Sequence, residues 1–385
     1  MIDFIVTEMD IRGAACTSAA LYVDNKLTEL EVQRNEKMSR VDQIVMAVVD
    51  RKVNNIEGTF LRITKNETAF SNDIRCKGCS KMPVQIRKDA YGHKGCVVSN
   101  VLQLTGIYSI VSMGKGRISY SSKLSFAEKA KLKDRMAVLL DQEGFSIDGF
   151  DIMIRTACHD LFMENDGEDA ALCDQPLVDE IKASLSKLKN VLEAAKTADA
   201  YAVLYRPAPF YKDMLDHLRV KPDRVRSDIP LIARIIDGDL YQDPALSLAA
   251  LKNLPSEIEK LLNRHVNLKS GAELVVDHTE AMTVIDVNSG KNIKGKDAQA
   301  TYAAINREAI AEIIRQLRLR SISGMVLVDL IKLTDKQVTE DILKETRKMC
   351  RDEAIYTEAV DITGLGLLEL VRQKRKASLW EIING

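Results

Sequence analysis

Apolar positions along the chain change rhythm several times, and the clearest stretch runs from Ala281 to Leu333. Met282-Thr-Val-Ile-Asp286-Val-Asn288-Ser289 and Gly324-Met-Val-Leu-Val-Asp329-Leu-Ile331 read as strands. Between them, Tyr302, Asn306, Ala309, Ile310, Ile313 and Leu317 recur at helical spacing, which predicts a helix over about 298–320. Each strand carries one carboxylate among Val, Ile and Leu. Side chains alternate along a strand, so Asp286 and Asn288 share a face. A charge in such a run is costly to bury without a partner. If the strand–helix–strand unit brings Asp286 and Asp329 together, they repel unless a cation lies between them. That arrangement suits a divalent ion held by carboxylate oxygens, with an amide in support. The same two aspartates also fit strand ends that pair with arginine or cap a turn.

Elsewhere the pattern is shorter. Phe4–Val6, Arg12–Cys16, Leu21–Val23 and Leu27–Val32 alternate as strands, with a turn at Asp24-Asn25. Short strands follow at Ile44–Val49, Thr59–Ile63, Val84–Arg87 and Cys96–Val98, which suggests a small barrel of the OB type. From about 109 the rhythm becomes mixed. Phe126–Glu143 and Ala183–Ala200 are helix candidates, and Phe150–Ile154 is a strand ending in Arg155-Thr156. Apolar Ile229–Ile232 and a polar helix near Pro244–Leu254 come next. A hairpin then pairs Leu274–Val276 with Met282–Val287, and His278 falls in its turn.

Taken in order, Thr283-Val-Ile-Asp286-Val-Asn288-Ser289, Gln316-Leu-Arg-Leu-Arg320, Gly324-Met-Val-Leu-Val-Asp329 and Gly366-Leu-Leu-Glu369-Leu closely resemble the catalytic region of the bacterial ribonuclease E/G family. The resemblance implies an α/β (α+β) multidomain fold. A split ribonuclease-H-like scaffold would take residues 1–41 and 220–261. An OB-fold RNA-binding module would take 42–108, a 5′-phosphate sensor 109–219, and a DNase-I-like catalytic subdomain 262–385. It also implies that Asp286 and Asp329 bind catalytic magnesium and that Asn288 orients them. Arg155 and Thr156 would sense a 5′ monophosphate, beside a glycine-rich turn at Gly114-Lys-Gly116-Arg117. Phe60, Phe70 and Lys94 match the RNA-contacting positions. Aromatic rings give bases a stacking surface worth roughly 1–3 kcal/mol each, although both phenylalanines also fit a barrel core. Asn306 matches a family position without a firm role. Ala47 replaces a usual glycine, and the stretch between Phe70 and Val84 is shorter than usual, which would weaken or alter the grip on RNA.

Composition narrows the picture. The chain has 385 residues, 46% hydrophobic and 29% charged, with net charge −1. That predicts a globular protein of more than one folding unit, whose basic surface must be local. No apolar run approaches the ~18 residues of a membrane span, and the acidic start is no signal peptide. Seven cysteines then read as reduced thiols in a cytoplasmic protein. Cys76, Cys79, His93 and Cys96 form C-x2-C-x13-H-x2-C, a spacing compatible with zinc and equally with four unconnected residues. The chain ends at Gly385, before the Cys-x-x-Cys motif that links larger family members through zinc. A homo-oligomer, if formed, would therefore be held otherwise. The basic run Arg372–Lys376 suits either a solvated surface or RNA phosphates.

These readings together predict a magnesium-dependent endoribonuclease of RNA processing and decay. The resemblance implies that it hydrolyses single-stranded, A/U-rich RNA to 5′-phosphate and 3′-hydroxyl ends. A non-catalytic RNA-binding protein of the same fold, or a phosphodiesterase acting on DNA or small nucleotides, are the alternatives.

Overall fold

The computed structural model describes the chain apart from residues 37, 54–57, 75–79, 91–94, 144–145, 159–169, 219, 291–297, 375 and 385. Its α/β fold divides into two compact units, one of residues 1–38 with 210–385 and one of residues 39–209.

Strands β1 (Ile2–Ile11), β2 (Ala14–Val23) and β3 (Lys26–Arg34) form an antiparallel meander. The expected strand at Arg12–Cys16 is corrected at its start. Arg12 and Gly13 have φ of 52° and 84°, and Asp24 and Asn25 have 48° and 60°. Both pairs are two-residue turns of the type that the right-handed twist of a hairpin favours.

In the second unit, β4 (Ile44–Val53), β5 (Gly58–Arg62), β6 (Thr68–Ser71), β7 (Lys81–Lys88) and β8 (Cys96–Ser99) close into a barrel, because β4 pairs with both β5 and β7. Val45, Ala47, Leu61, Ile63, Ala69, Val84, Ile86 and Val98 fill it. A four-stranded sheet follows, built from β9 (Gln103–Thr105), β10 (Ser109–Met113), β11 (Ile118–Tyr120) and β12 (Phe150–Ile154). Helices α1 (Phe126–Glu143) and α2 (Ala170–Thr197) pack on it through Leu132, Met136, Leu177, Val178 and Ile181. Helix α2 starts well before the expected Ala183 and carries Pro176 inside it. Burial of Leu177, Val178 and Ile181 outweighs the hydrogen bond that the proline removes. β13 (Val203–Tyr205) returns to pair with β4.

The first unit resumes with α3 (Phe210–Asp216), β14 (Arg224–Ser227), α4 (Pro230–Ile235), β15 (Asp239–Leu240), α5 (Leu248–Leu251) and α6 (Leu254–Leu262). β14 and β15 extend the meander, in the order β15-β14-β1-β2-β3. α3 and α4 cover one face through Phe4, Val6, Ala19 and Leu21, and α5 and α6 cover the other through Ile5, Ala20 and Tyr22.

A six-stranded sheet completes the unit. It contains β16 (His265–Asn267), β17 (Glu273–His278), β18 (Met282–Asn288), β19 (Gly324–Asp329), β20 (Thr357–Ile362) and β21 (Leu367–Arg372), in the order β16-β17-β18-β19-β21-β20. Helices α7 (Ala298–Leu319) and α8 (Lys336–Arg351) lie on one face, and α9 (Leu379–Asn384) ends the chain. Leu274, Val276, Ile285, Val287, Val326, Val328, Leu368 and Leu370 point at α7 and α8. The alternate residues point the other way, and many of those are exposed.

Candidate active site

β18 and β19 run parallel, with Asp286 directly opposite Asp329 at the last rung of the ladder. Opposed residues on neighbouring strands point to the same face with backbones about 4.8 Å apart. Here that face is the open one. Ile285, Val287 and Val328 are buried beneath the helices, whereas Asp286, Asn288 and Asp329 are exposed. Asn288 Nδ2 donates to Asp286 Oδ2 at 2.8 Å, so the amide fixes the carboxylate from the next outward position of its own strand. Among the described residues no Lys, Arg or His pairs with either aspartate. Two such carboxylates on one rung, braced by an amide, fit a hydrated magnesium ion, which takes one or two carboxylates and keeps several waters. No group of three or more His, Cys, Asp or Glu suited to a metal occurs among the described residues, so no closed protein cage is present there.

Asn306 gains a role that its sequence position did not supply. It is buried on α7, where Nδ2 donates to the Ile331 carbonyl at 2.8 Å and Oδ1 accepts from the Ile331 N–H at 3.0 Å. This two-point clamp fixes the chain two residues past Asp329. The Gln316–Arg320 motif is structural. Gln316 Oε1 accepts from Arg320 Nε at 2.6 Å, and its Nε2 donates to Glu312 at 2.7 Å. Burial pushes the Arg320 guanidinium down to about 10. Glu369 points to the open face on β21, opposite Leu327. The described basic residues at the end are internally engaged. Arg372 donates to the Ile322 carbonyl, Lys374 pairs with Glu381 at 2.6 Å, and Lys376 pairs with Glu31.

In the barrel, Phe60 and Phe70 stand opposite each other on β5 and β6, with ring centroids 5.3 Å apart. Alternation puts Leu61 and Ala69 inside and the two rings outside, half-buried. Arg51 lies over the Phe60 ring at 4.9 Å. Gly58 is required because the Phe70 ring occupies the space that a Cβ would take. The rings thus form an external aromatic patch beside a cation. Lys94 lies outside the described residues, as do Cys76, Cys79 and His93. Cys96 is a core thiol within hydrogen-bond reach of the Lys88 carbonyl at 3.2 Å, and burial pushes its pKa up to about 12. Burial of this kind favours the protonated thiol over the thiolate that zinc takes.

Arg155 and Thr156 follow β12. Arg155 Nη1 donates to the carbonyls of Gly106 and Ile107, and Thr156 Oγ1 lies 2.9 Å from Ser121 Oγ. Two carboxylates overlooked in the sequence shape this region. Glu180, on α2, accepts from the N–H groups of Ile107 and Ser109 at 2.6 and 2.7 Å, and from Tyr108 at 3.1 Å. Asp151 accepts from the N–H groups of Arg117 and Lys115, which hold its carboxyl below the usual carboxylate range. Gly114 is glycine because the Asp151 carboxyl fills the space that its Cβ would take. No spacing rule marks either acid, because each is defined by backbone amides distant in sequence.

Comparison with known proteins finds related ribonucleases. The chain is 25% identical to Ribonuclease G of Escherichia coli (strain K12) over 98% of its own length and 82% of that protein. It is 29% identical to Ribonuclease E of Haemophilus influenzae over 80% of its length and 33% of that protein. Against Ribonuclease E of Synechocystis the identity is 25%, over 94% of this chain and 56% of the relative. The family model described as Ribonuclease E/G family matches residues 103–375, which include Asp286, Asn288 and Asp329. With most of its length so matched, the chain belongs to the Ribonuclease E/G family.

Proposed function

We propose that the chain, an endoribonuclease by its family, hydrolyses single-stranded, A/U-rich RNA in RNA processing and decay, with magnesium at Asp286 and Asp329. The observation that carries this reading is the pair of carboxylates facing each other on the open side of a parallel strand pair, with no cationic partner among the described residues. Bound there, magnesium supplies polarisation of the phosphate and a water of lowered pKa. Asp286 and Asp329 hold the ion, Asn288 fixes the Asp286 carboxylate, and Asn306 anchors the segment after Asp329. The products would carry a 5′ phosphate and a 3′ hydroxyl.

Phe60 and Phe70 offer the stacking surface for unpaired bases, with Lys94 as a phosphate contact. Unpaired RNA suits this, because bases must leave a helix to stack on protein rings. Arg155 and Thr156 hold the 5′ monophosphate, the first through charge-assisted hydrogen bonds and the second through its hydroxyl. We assign residues 1–41 with 220–261 as scaffold, 42–108 as RNA-binding barrel, 109–219 as sensor and 262–385 as catalytic subdomain, in a cytoplasmic enzyme. Among the described residues no helix is long and apolar enough to cross a membrane.

The test is an A/U-rich single-stranded RNA with a 5′ monophosphate, beside the matching DNA and a 5′-hydroxyl RNA, with and without magnesium. Cleavage of RNA only, in magnesium only and faster with the monophosphate, is expected. Binding without cleavage would make the protein a non-catalytic RNA binder, and equal cleavage of DNA would make it a general phosphodiesterase.

A further inference from the structure

On the open face of the six-stranded sheet, one rung contains more than the two aspartates. His265 on β16 stands opposite Val275, Val275 opposite Asp286, and Asp286 opposite Asp329. The next rung on that face places Asn267, Glu273 and Asn288 side by side. His265 Nδ1 and Glu273 Oε1 are 2.9 Å apart, and both side chains are partly exposed, at 49% and 37%. A histidine–carboxylate pair therefore lies two strands from Asp286. Arg264 and Asp277 pair with each other at 2.6 Å beside it.

An ionised carboxylate can only accept a hydrogen bond, so the proton of this contact sits on Nδ1. In the neutral ring, Nε2 then carries the lone pair and is an acceptor. Two strand spacings put the backbone of His265 about 10 Å from that of Asp286. That is too far for the imidazole to share the phosphate that the aspartates would address, and it suits a neighbouring nucleotide on the β16 side. The polar donor that every RNA nucleotide presents and DNA lacks is the ribose 2′-hydroxyl. We infer that His265, oriented by Glu273, accepts a hydrogen bond from the 2′-hydroxyl of a nucleotide flanking the scissile phosphate. His265 is thus a specificity residue that distinguishes RNA from DNA at that position. The inference rests on the ribonuclease reading but concerns binding rather than bond cleavage.

The experiment is a deoxy scan. A single-stranded RNA is made as a series, each member with one 2′-deoxy nucleotide at a successive position. Cleavage in magnesium and binding without magnesium are measured for the wild type, His265→Ala, His265→Gln and Glu273→Gln. One position should cost the wild type about five- to tenfold, mainly in KM and in binding affinity, the size of one polar contact. That cost should vanish in His265→Ala, return in part in His265→Gln, whose amide oxygen also accepts, and shrink in Glu273→Gln. A His265→Ala variant that keeps the same position-specific cost overturns the inference. So does one that weakens all members and the all-DNA strand equally, the mark of a phosphate contact. Loss of cleavage with an intact binding scan would count against the ribonuclease reading and leave the 2′-hydroxyl contact standing.

Discussion

Asp3 and Asp286 each stand beside an apolar run in a strand, and the structure treats them in opposite ways. Asp3 precedes Phe4-Ile5-Val6, all fully buried because helices cover both faces of that sheet. Asp3 is itself 1% exposed, and its Oδ2 takes Arg226 at 2.7 Å and Lys252 at 2.5 Å. Across the parallel rung it faces Arg224. Asp286 also sits in a parallel pair, but the described helices cover only one face of its sheet, and the residue across the rung is another aspartate. An apolar neighbourhood therefore does not mark a functional carboxylate. What marks it is the uncovered face and the lack of a paired Lys, Arg or His among the described residues, since a buried charge persists only when paired.

The sharpest way to break that contrast is to neutralise each acid. Asp286→Asn and Asp329→Asn should each lower RNA cleavage by about a thousandfold or more, the several kcal/mol expected of Lewis-acid stabilisation. RNA binding should survive. Thermal stability should survive too, because the change relieves an exposed like-charge pair and leaves the buried interior as it was. Asp3→Ala should do the reverse. It leaves Arg226 and Lys252 nearly buried without their counter-charge, at a cost of about 3 kcal/mol in denaturant unfolding. Cleavage per folded molecule should be unchanged. A catalytically dead Asp3→Ala with normal stability, or a cutting Asp286→Asn, would abolish the distinction.

Much of the catalytic unit was legible in the sequence, and the rest was not for physical reasons. Alternation gave β18 and β19 to within a residue or two, and the 3.6-residue period gave α7 with its buried face at Ala309, Ile310, Ile313 and Leu317. Local pattern also put Asp286 and Asn288 on one face. Pairing of β18 with β19 in register is a long-range event, and only the fold shows Asp329 opposite Asp286. β6, which carries Phe70, went unread because its residues Thr68-Ala-Phe-Ser71 include only one large apolar side chain and no β-branched aliphatic residue. The turn at Arg12-Gly13 was hidden because arginine at positive φ has no strong sequence signature. Glu180 and Asp151 escaped because their partners are main-chain amides, which every residue but proline possesses.

A milder contrast of the same kind exists within one barrel strand. Leu61 points in and Phe60 points out, one residue apart. Leu61→Ala should cost about 2–5 kcal/mol of stability. Phe60→Ala and Phe70→Ala should instead weaken RNA binding, by roughly 1–3 kcal/mol for each base that stacks, with a smaller effect on folding. Fluorescence-anisotropy titration of a single-stranded RNA, beside thermal unfolding, separates the two. If both phenylalanine variants bind RNA as the wild type does, the outer patch has no part in recognition.

The smallest effect concerns the covered side of the catalytic sheet. His278 ends β17 opposite Thr283, so it points towards the helix face, whereas Asp286 points away from it. Its Nδ1 lies 3.2 Å from Thr283 Oγ1, and its ring is 5.9 Å from that of Trp380. Burial holds the imidazole below its ordinary 6.5, with the charge of Arg320 adding and those of Glu381 and Asp277 opposing. A folded-state value below the unfolded one means that the unfolded chain binds the extra proton first. The contribution of this group to stability is thus complete above about pH 6.5 and is lost as pH falls from there through the folded value. Trp380 is the chain's one tryptophan and reports the event directly, because an imidazolium quenches a neighbouring indole. A fluorescence titration of the folded protein should show a midpoint below 6.5 that disappears in His278→Gln and persists in Asp286→Asn. A midpoint at or above 6.5 would mean that His278 is as solvated as the acids on the open face, and the division of this sheet into a covered and an uncovered side would fail at that end.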